Sequence, residues 1–304
     1  MILYHYSAFG LGISSQLELP ELLAQDAPSE LSHDDVTIQF GSVPEHLESP
    51  TGRGVLYEIS PEQFLLNLPG TARYLVTNGN HIVIERARNA HDAQVRLYLL
   101  GSAFGALLHQ RGALPIHGSA IETPRGAIIF SGPSGRGKST LAWEFHRRGY
   151  RHLSDDVSVV GFDAQAKPLV YPAYPQMSLW ADVLDKQGRA REELRPVHSE
   201  LQKYALPTRE SFNAAPVPLF AMYLLSVVNT DTLEITPIKG LDKLQILTAN
   251  TYRPRFMTAM GKRAQHFKLA TNAGKIIHTR RVVRPVTPFR LRELADLIEQ
   301  DLAT

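Results

Sequence analysis

Short runs of alternating apolar and polar residues fill the first third of the chain. Six of them end at Pro, Gly or Asn turns and are typical of strands: ILYHYSAF, VTIQFG, VLYEIS, FLLNL, ARYLVTNG and HIVIERA. The NGN sequence between Val76 and Ile82 predicts a hairpin turn. Residues 1–95 are therefore expected to form a small, mainly antiparallel β N-terminal domain.

The pattern changes to helical spacing after residue 91. Apolar residues three and four positions apart over Asp92–Gln110 predict a packed helix, which we expect to join the first domain to a second one, residues 96–304. Near the end of the chain, TPFRLRELADLIEQDL predicts an amphipathic helix with one apolar face. The second domain therefore combines helices with further strands.

A β-hairpin is predicted by two apolar stretches on either side of Pro124 and Arg125. Counting outward from a two-residue turn places His117 opposite Gly132. The hairpin is thus expected to deliver a histidine to the start of the segment that follows its second strand.

That segment is a glycine-rich loop. Its sequence, GPSGRGKST, fits the pattern G-x-x-x-x-G-K-[ST] and stands between a strand-like and a helix-like stretch. Backbone N–H groups of such a loop, with the positive end of the following helix, cradle nucleotide phosphates. Lys138 would reach the β and γ oxygens of ATP, and Ser139 would ligate Mg²⁺. The residues expected to bind the nucleotide are Gly132, Ser134, Gly135, Arg136, Gly137, Lys138, Ser139 and Thr140.

Two acids interrupt the strand predicted after the helix of this loop. A strand in that position normally runs parallel to the first, which brings Asp155 and Asp156 to the edge of the sheet where the loop lies. With His117, Lys138 and Ser139 they would supply a phosphate cradle, a metal site and a base, as phosphoryl transfer requires. The alternatives are a turn with two solvated carboxylates and a purely structural histidine.

Three segments resemble the catalytic domain of HPr kinase/phosphorylase and its relatives, a family whose nucleotide site is similar to that of phosphoenolpyruvate carboxykinase. They are IHGSAIE, IIFSGPSGRGKSTLAWEFHRRGYRHLSDDVSVV and YPAYPQMSLWADVL, and the similarity is best over residues 113–160. The resemblance implies an α/β fold, a P-loop kinase domain with a mixed central sheet. It also implies that one acid is a general base towards a serine hydroxyl and the other holds Mg²⁺. We assign Asp155 as the base and Asp156 as the metal ligand, with His117 and Lys138 as further catalytic residues.

The chain departs from the bifunctional enzyme of that family. It has no counterpart of the later glutamate-bearing signature or of the phosphorylase loop, and TYRPRFMTAMGKRAQHF is more similar to divergent relatives that include kinases of lasso-peptide precursors. The leading hypothesis is ATP- and Mg²⁺-dependent transfer to a serine of a peptide or small protein. A small-molecule or sugar kinase is one alternative, and a P-loop ATPase or a nucleotide-binding regulatory module without transfer activity is another.

Two further segments have open roles. Residues 169–184, rich in aromatic residues and proline, are expected to form either a wall over the site or part of the core. Arg253 is a candidate anion contact, with a solvated helix face as the alternative.

Charge and composition narrow the expected partners. With 32 Lys and Arg against 30 Asp and Glu, the formal net charge of +2 gives no electrostatic reason to expect nucleic acid or an anionic membrane. The chain has no cysteine, which excludes disulfides and thiolate metal sites. Its apolar runs are too short to span a bilayer, and its N-terminus lacks the features of a signal peptide. We expect a cytoplasmic protein and leave a homo-oligomer open.

Overall fold

The computed structural model describes residues 2–26, 35–186, 194–198 and 201–304. The chain forms two compact units, Met1–Pro115 with Tyr252–Lys268 and Ile116–Thr251 with Leu269–Thr304. These units differ from the domains expected from the sequence, because residues 96–115 and 252–268 pack with the first unit. A functional domain boundary near residue 95 stays a prediction.

The first unit contains a nine-stranded sheet in which most neighbours are antiparallel. Within the described residues of this sheet, parallel pairing occurs only between β2 (Leu11–Ser15) and β4 (Val36–Phe40) and between β4 and β9 (His81–Arg86). The predicted NGN hairpin is confirmed, because Thr77 pairs with His81 and both Asn78 and Gly79 have positive φ. The strands are β1 (Tyr4–Ala8), β2 (Leu11–Ser15), β3 (Leu23–Ala24), β4 (Val36–Phe40), β5 (Gly52–Arg53), β6 (Tyr57–Ile59), β7 (Gln63–Leu68), β8 (Ala72–Thr77) and β9 (His81–Arg86).

The helix predicted over Asp92–Gln110 is confirmed. It consists of α1 (Asp92–Tyr98), a π-helical turn (Leu99–Ala103) and α2 (Phe104–Gln110). Its apolar positions, among them Val95 and Phe104, are buried in the core of the first unit. No helix in the described residues is both long and apolar enough to cross a membrane.

The second unit is built on a mixed eight-stranded sheet, so the fold is mixed α/β. Its strands are β10 (Leu114–Thr123), β11 (Gly126–Ser131), β12 (Arg151–Ser154), β13 (Val157–Phe162), β14 (Pro168–Tyr171), β18 (Val217–Val228), β19 (Glu234–Pro237) and β20 (His278–Pro285). β18 runs parallel to both β11 and β20. β12 and β11 are both antiparallel to β10, so β12 runs in the same direction as β11, as predicted.

A smaller antiparallel sheet and several helices complete the described chain. The small sheet contains β15 (Gln176–Trp180), β16 (Arg195–His198) and β17 (Leu201–Pro207). The helices are α3 (Lys138–Arg147), α4 (Ala181–Lys186), α5 (Leu241–Ala249), α6 (Pro254–Ala259), α7 (Arg263–Ile276) and α8 (Leu291–Ala303), with a short 3₁₀ turn at Arg209–Ser211.

One apolar core joins the central sheet to α3, α8 and the small sheet. Phe130 of β11 packs on Phe145 of α3, with ring centroids 5.4 Å apart. The predicted amphipathic helix α8 is confirmed, because Leu294 and Ile298 lie fully buried in this core. The same core includes Met177 of the small sheet, which is thereby held against the central sheet.

Candidate functional site

The β10–β11 hairpin has the predicted register. Pairing runs from Thr123 opposite Gly126 to Gly118 opposite Ser131, at the end of the ladder. The next residue back along β10 is His117, whose carbonyl accepts a hydrogen bond of 2.9 Å from the Ser131 hydroxyl. The hairpin therefore brings His117 to the start of the glycine-rich loop.

The loop connects the end of β11 to the beginning of α3, which confirms the predicted strand, loop and helix order. Gly132, Gly135 and Gly137 all have positive φ. A Cβ on Gly132 would lie 2.8 Å from the carbonyl oxygen of Leu225, so only glycine fits there. The Lys138 ammonium donates to the carbonyls of Gly132 (2.9 Å) and Pro133 (3.1 Å), so its charge lies inside the loop.

The other loop residues have different surroundings. Ser134 and Gly135 are exposed, Arg136 is half-buried, and Thr140 is buried in the first turn of α3. Arg284, at the end of β20, was missed by the sequence analysis. Its buried guanidinium donates to the Arg136 carbonyl at 3.0 Å and stacks 4.1 Å from the Phe289 ring centroid. The sequence does not distinguish Arg284, because the same strand also contains Arg280 and Arg281.

Asp155 is a buried carboxylate with three donors. One carboxylate oxygen accepts from the hydroxyls of Ser139 (2.7 Å) and Ser119 (2.6 Å), and the other accepts from the backbone N–H of Ser178 (2.8 Å). A buried carboxylate needs such partners to offset its lost hydration. The contacts connect the acid turn directly to the loop helix. Ser119, also missed, lies two residues after His117 on the same face of β10.

Asp156 is placed differently although it is the next residue. Its φ of 66° is in the left-handed region, and its side chain is half-exposed. Its carboxylate lies 3.5 Å from Nδ1 of His117. The turn therefore separates the two acids, with Asp155 directed to Ser139 and Asp156 to His117.

The hydrogen bond of His117 defines its tautomer. Nδ1 lies 3.1 Å from the carbonyl oxygen of Asp156, which can only accept, so Nδ1 carries the proton. In the neutral ring the lone pair is therefore on Nε2. Burial and then the Lys138 charge lower the pKa of His117, while Asp156 raises it. The ring is close enough to Lys138 for their charges to interact, and it does not point into a remote apolar core.

The two segments with open roles are now located. Within residues 169–184, strand β15 contributes to both the core and the site. Met177 and Leu179 pack in the core, and the N–H of Ser178 donates to Asp155. Arg253 lies in the first unit, where its guanidinium packs over the rings of Tyr252 and Phe256. Arg253 is also exposed to solvent, which agrees with the solvated alternative, and the anion contact stays a prediction.

A groove of about 580 Å³ runs beside the loop. Its volume is in the range of small-molecule pockets. The backbone N–H of His117 donates to the carbonyl of Asn250 at 2.7 Å, which connects the groove wall to the site. The lining includes Pro133, Arg136, Leu224, Ile246, Asn250 and Arg281.

The chain was compared with family models, curated proteins and solved structures. No family model matches the chain, and no curated protein matches it. Among solved structures, the chain is similar to the HPr(Ser) kinase/phosphatase from Coxiella burnetii, with a TM-score of 0.33 and 10% identity over 62% of this chain and 90% of that one. A likeness at this level carries no argument about function, so the resemblance of residues 113–160 stays a prediction.

Proposed function

We propose that the second unit binds ATP with Mg²⁺ at residues 132–140 and transfers the γ-phosphoryl group to a hydroxyl acceptor. The observation that supports this most strongly is the contact of 2.7 Å between the Ser139 hydroxyl and Asp155, beside an ammonium held inside a glycine loop. Together these groups offer a phosphate cradle, a hard-oxygen metal site and a nearby base.

The oxygen atoms around Ser139 fit Mg²⁺, because this ion prefers hydroxyl and carboxylate ligands and takes few of them from the protein. No three His, Cys, Asp or Glu residues gather into a metal cluster within the described ranges. Ser139 and Asp155 would hold the ion. When bound, Mg²⁺ would neutralise charge on the β and γ phosphates.

The contacts favour exchanging the roles that were assigned to the two acids from the sequence. Asp155 is buried and hydrogen-bonded to Ser139, which suits a metal-side carboxylate, whereas the Asp156 carboxylate is half-exposed and lies 3.5 Å from Nδ1 of His117. A base must reach an incoming hydroxyl, and only an accessible carboxylate can do so. We therefore propose Asp156 as the general base.

The proposed transfer needs ATP and the acceptor and no further reagent. The acceptor oxygen forms a bond to the γ phosphorus, the bond from that phosphorus to the β–γ bridging oxygen breaks, and ADP leaves. The acceptor proton passes to the Asp156 carboxylate. Lys138 stabilises charge on the β and γ oxygens, and His117 holds the Asp156 backbone through its Nδ1–H.

A serine of a peptide or small protein is the acceptor we propose, on the basis of the sequence resemblance. The groove beside the loop offers room for the larger part of a ligand. A sugar hydroxyl would need the same base, so the alternative is a small-molecule kinase. Use of ATP would suit a cytoplasmic location.

Labelled ATP, Mg²⁺ and peptides encoded near the gene provide the test, with the label located by mass spectrometry. We expect label on a serine of one peptide. Label on a sugar or metabolite and on no peptide would contradict the serine acceptor but retain phosphoryl transfer. Release of phosphate alone with every candidate would favour the ATPase alternative.

A further inference from the structure

The small sheet lies against the site through a backbone contact. The N–H of Ser178 on β15 donates to the Asp155 carboxylate at 2.8 Å. β15 pairs antiparallel with β17, so that Ser178 is opposite Ala205 and Trp180 is opposite Lys203. Lys203 is therefore a diagonal neighbour of Ser178, about 7–8 Å away in such a ladder.

The alternation of side chains defines the two faces of this sheet. Met177, Leu179 and Leu206 are fully buried in the core of the second unit. Side chains alternate along each strand, and directly opposed residues share a face. Ser178, Trp180 and Lys203 therefore lie on the other face, where Trp180 is 43% exposed. Lys203 extends from the strand pair that contacts Asp155, away from the apolar core.

Among the described residues, Lys203 lies near a second cation. No described carboxylate lies within ion-pair distance of its ammonium. Lys203 is close enough to Lys138 for their charges to interact: the pKa of Lys138 is lowered, mainly by burial and in smaller part by Lys203, against the opposing effects of Asp156 and Asp155. Two ammonium groups held near each other in a partly buried place repel, and an anion between them removes that repulsion.

We propose that Lys203 is a second catalytic lysine, which contacts the γ-phosphoryl group of ATP from the small sheet while Lys138 contacts it from the loop. The inference rests on the proposed function and adds a residue to it. As the acceptor oxygen bonds to phosphorus and the bond to the bridging oxygen breaks, charge spreads over the three equatorial oxygens. An ammonium donating to one of them would stabilise that charge.

The test compares a triphosphate with a diphosphate, so it does not depend on knowing the acceptor. Binding of Mg²⁺ with AMP-PNP and of Mg²⁺ with ADP is measured by titration calorimetry for the wild type, Lys203→Gln and Lys203→Arg. We expect Lys203→Gln to lose about tenfold in AMP-PNP affinity, the scale of one charge-assisted contact, and to bind ADP as the wild type does. Lys203→Arg should recover most of the loss. Lys239→Gln, at an exposed position of the second unit, is the matched control.

The outcomes separate the two proposals. If Lys203→Gln binds both nucleotides like the wild type while Lys138→Ala does not, the role of Lys203 is overturned and nucleotide binding at the loop stands. If AMP-PNP binding depends on Lys203 but no acceptor is ever phosphorylated, the contact stands and the transfer reaction fails. A wild type that binds neither nucleotide overturns both. An unchanged thermal unfolding midpoint shows that Lys203→Gln is folded, and Lys203→Met, which also lacks the charge, replaces it otherwise.

Discussion

Asp155 and Asp156 are adjacent in the chain but meet different surroundings. Asp155 lies at the end of β12 and is 7% exposed, with two serine hydroxyls on one carboxylate oxygen. The backbone of Asp156 is left-handed, and this conformation directs the Asp156 side chain away from Asp155, towards His117 and solvent. At the scale of single residues, backbone conformation therefore decides which acid contacts Ser139 and which lies beside His117.

Substituting each acid by its amide separates these roles. We expect Asp156→Asn to keep nucleotide affinity while the transfer rate falls by about a hundredfold, since a general base contributes roughly 10²–10⁴-fold. Asp155→Asn should instead raise the Mg²⁺ concentration needed for half-maximal nucleotide binding. Steady-state rates and Mg²⁺ titrations measure both effects, and Glu234→Gln on the exposed edge of β19 is the control. Native transfer rates in both variants would make the acid pair a structural turn.

His152, two residues before the end of β12, is expected to make the stability of the protein depend on pH. Its ring is fully buried, one nitrogen contacts the Thr208 hydroxyl at 3.0 Å, and burial lowers its pKa from 6.5 to about 4. Between these values the unfolded chain binds a proton that the folded chain does not. The free energy of unfolding should therefore fall as the pH drops below about 6.5, by at most about 1.4 kcal/mol per pH unit for this group.

Urea unfolding at pH 7, 6 and 5 measures this loss. His152→Gln should be less stable than the wild type at pH 7 but should lose less stability on acidification. His91→Gln, which replaces an exposed histidine, should keep the wild-type slope. An equal slope in wild type and His152→Gln would mean that His152 is not the group that titrates.

At the scale of elements, local patterns determine the hairpin, the loop and the helices. The turn at Pro124 and Arg125 and the alternation around it were enough to predict the β10–β11 register, because a short turn leaves few ways to pair the strands. Contacts between distant segments had no such signal. Ser178 and Lys203 approach the site through a separate sheet, and Arg284 comes from the last strand, so no sequence spacing relates them to the loop.

Two glycines of the loop provide a matched pair for testing its geometry. Both have positive φ, but a Cβ on Gly132 would lie 2.8 Å from the Leu225 carbonyl, whereas a Cβ on Gly135 would meet nothing within 4 Å. Gly135→Ala should cost about 1 kcal/mol of backbone strain. Gly132→Ala should cost more than that in urea unfolding and should also weaken nucleotide binding, because β11 and β18 must separate to admit the methyl group. Equal costs for the two variants would contradict this geometry.

At the scale of the whole molecule, every part of the proposed site belongs to one compact unit. The hairpin, the loop, the acid turn and the small sheet come from the first segment of the second unit, and Arg284 comes from its second segment. The first unit has its own sheet and its own core. The chemistry proposed here is therefore assigned to the second unit alone.

Hydrogen exchange followed by mass spectrometry tests that assignment. A ligand that binds the folded state slows exchange at amides whose local opening it prevents. Mg²⁺ with AMP-PNP should slow exchange at residues 132–140, 155–157 and 176–180. The edge strand β19, in the same unit but outside the site, should change little. Protection confined to segments of the first unit would place the nucleotide elsewhere.

The most direct measurement of the central claim is a calorimetric titration of ATP with Mg²⁺ into the wild type and Lys138→Ala. Lys138 is 7% exposed, and its ammonium lies among the loop carbonyls, so its removal takes away the charge that holds the β and γ phosphates. We predict Mg²⁺-dependent binding to the wild type and a loss of tenfold or more in Lys138→Ala, about 1.4 kcal/mol or more, with Lys239→Ala unchanged. Equal affinity in the wild type and Lys138→Ala, or no binding to the wild type, would contradict the account.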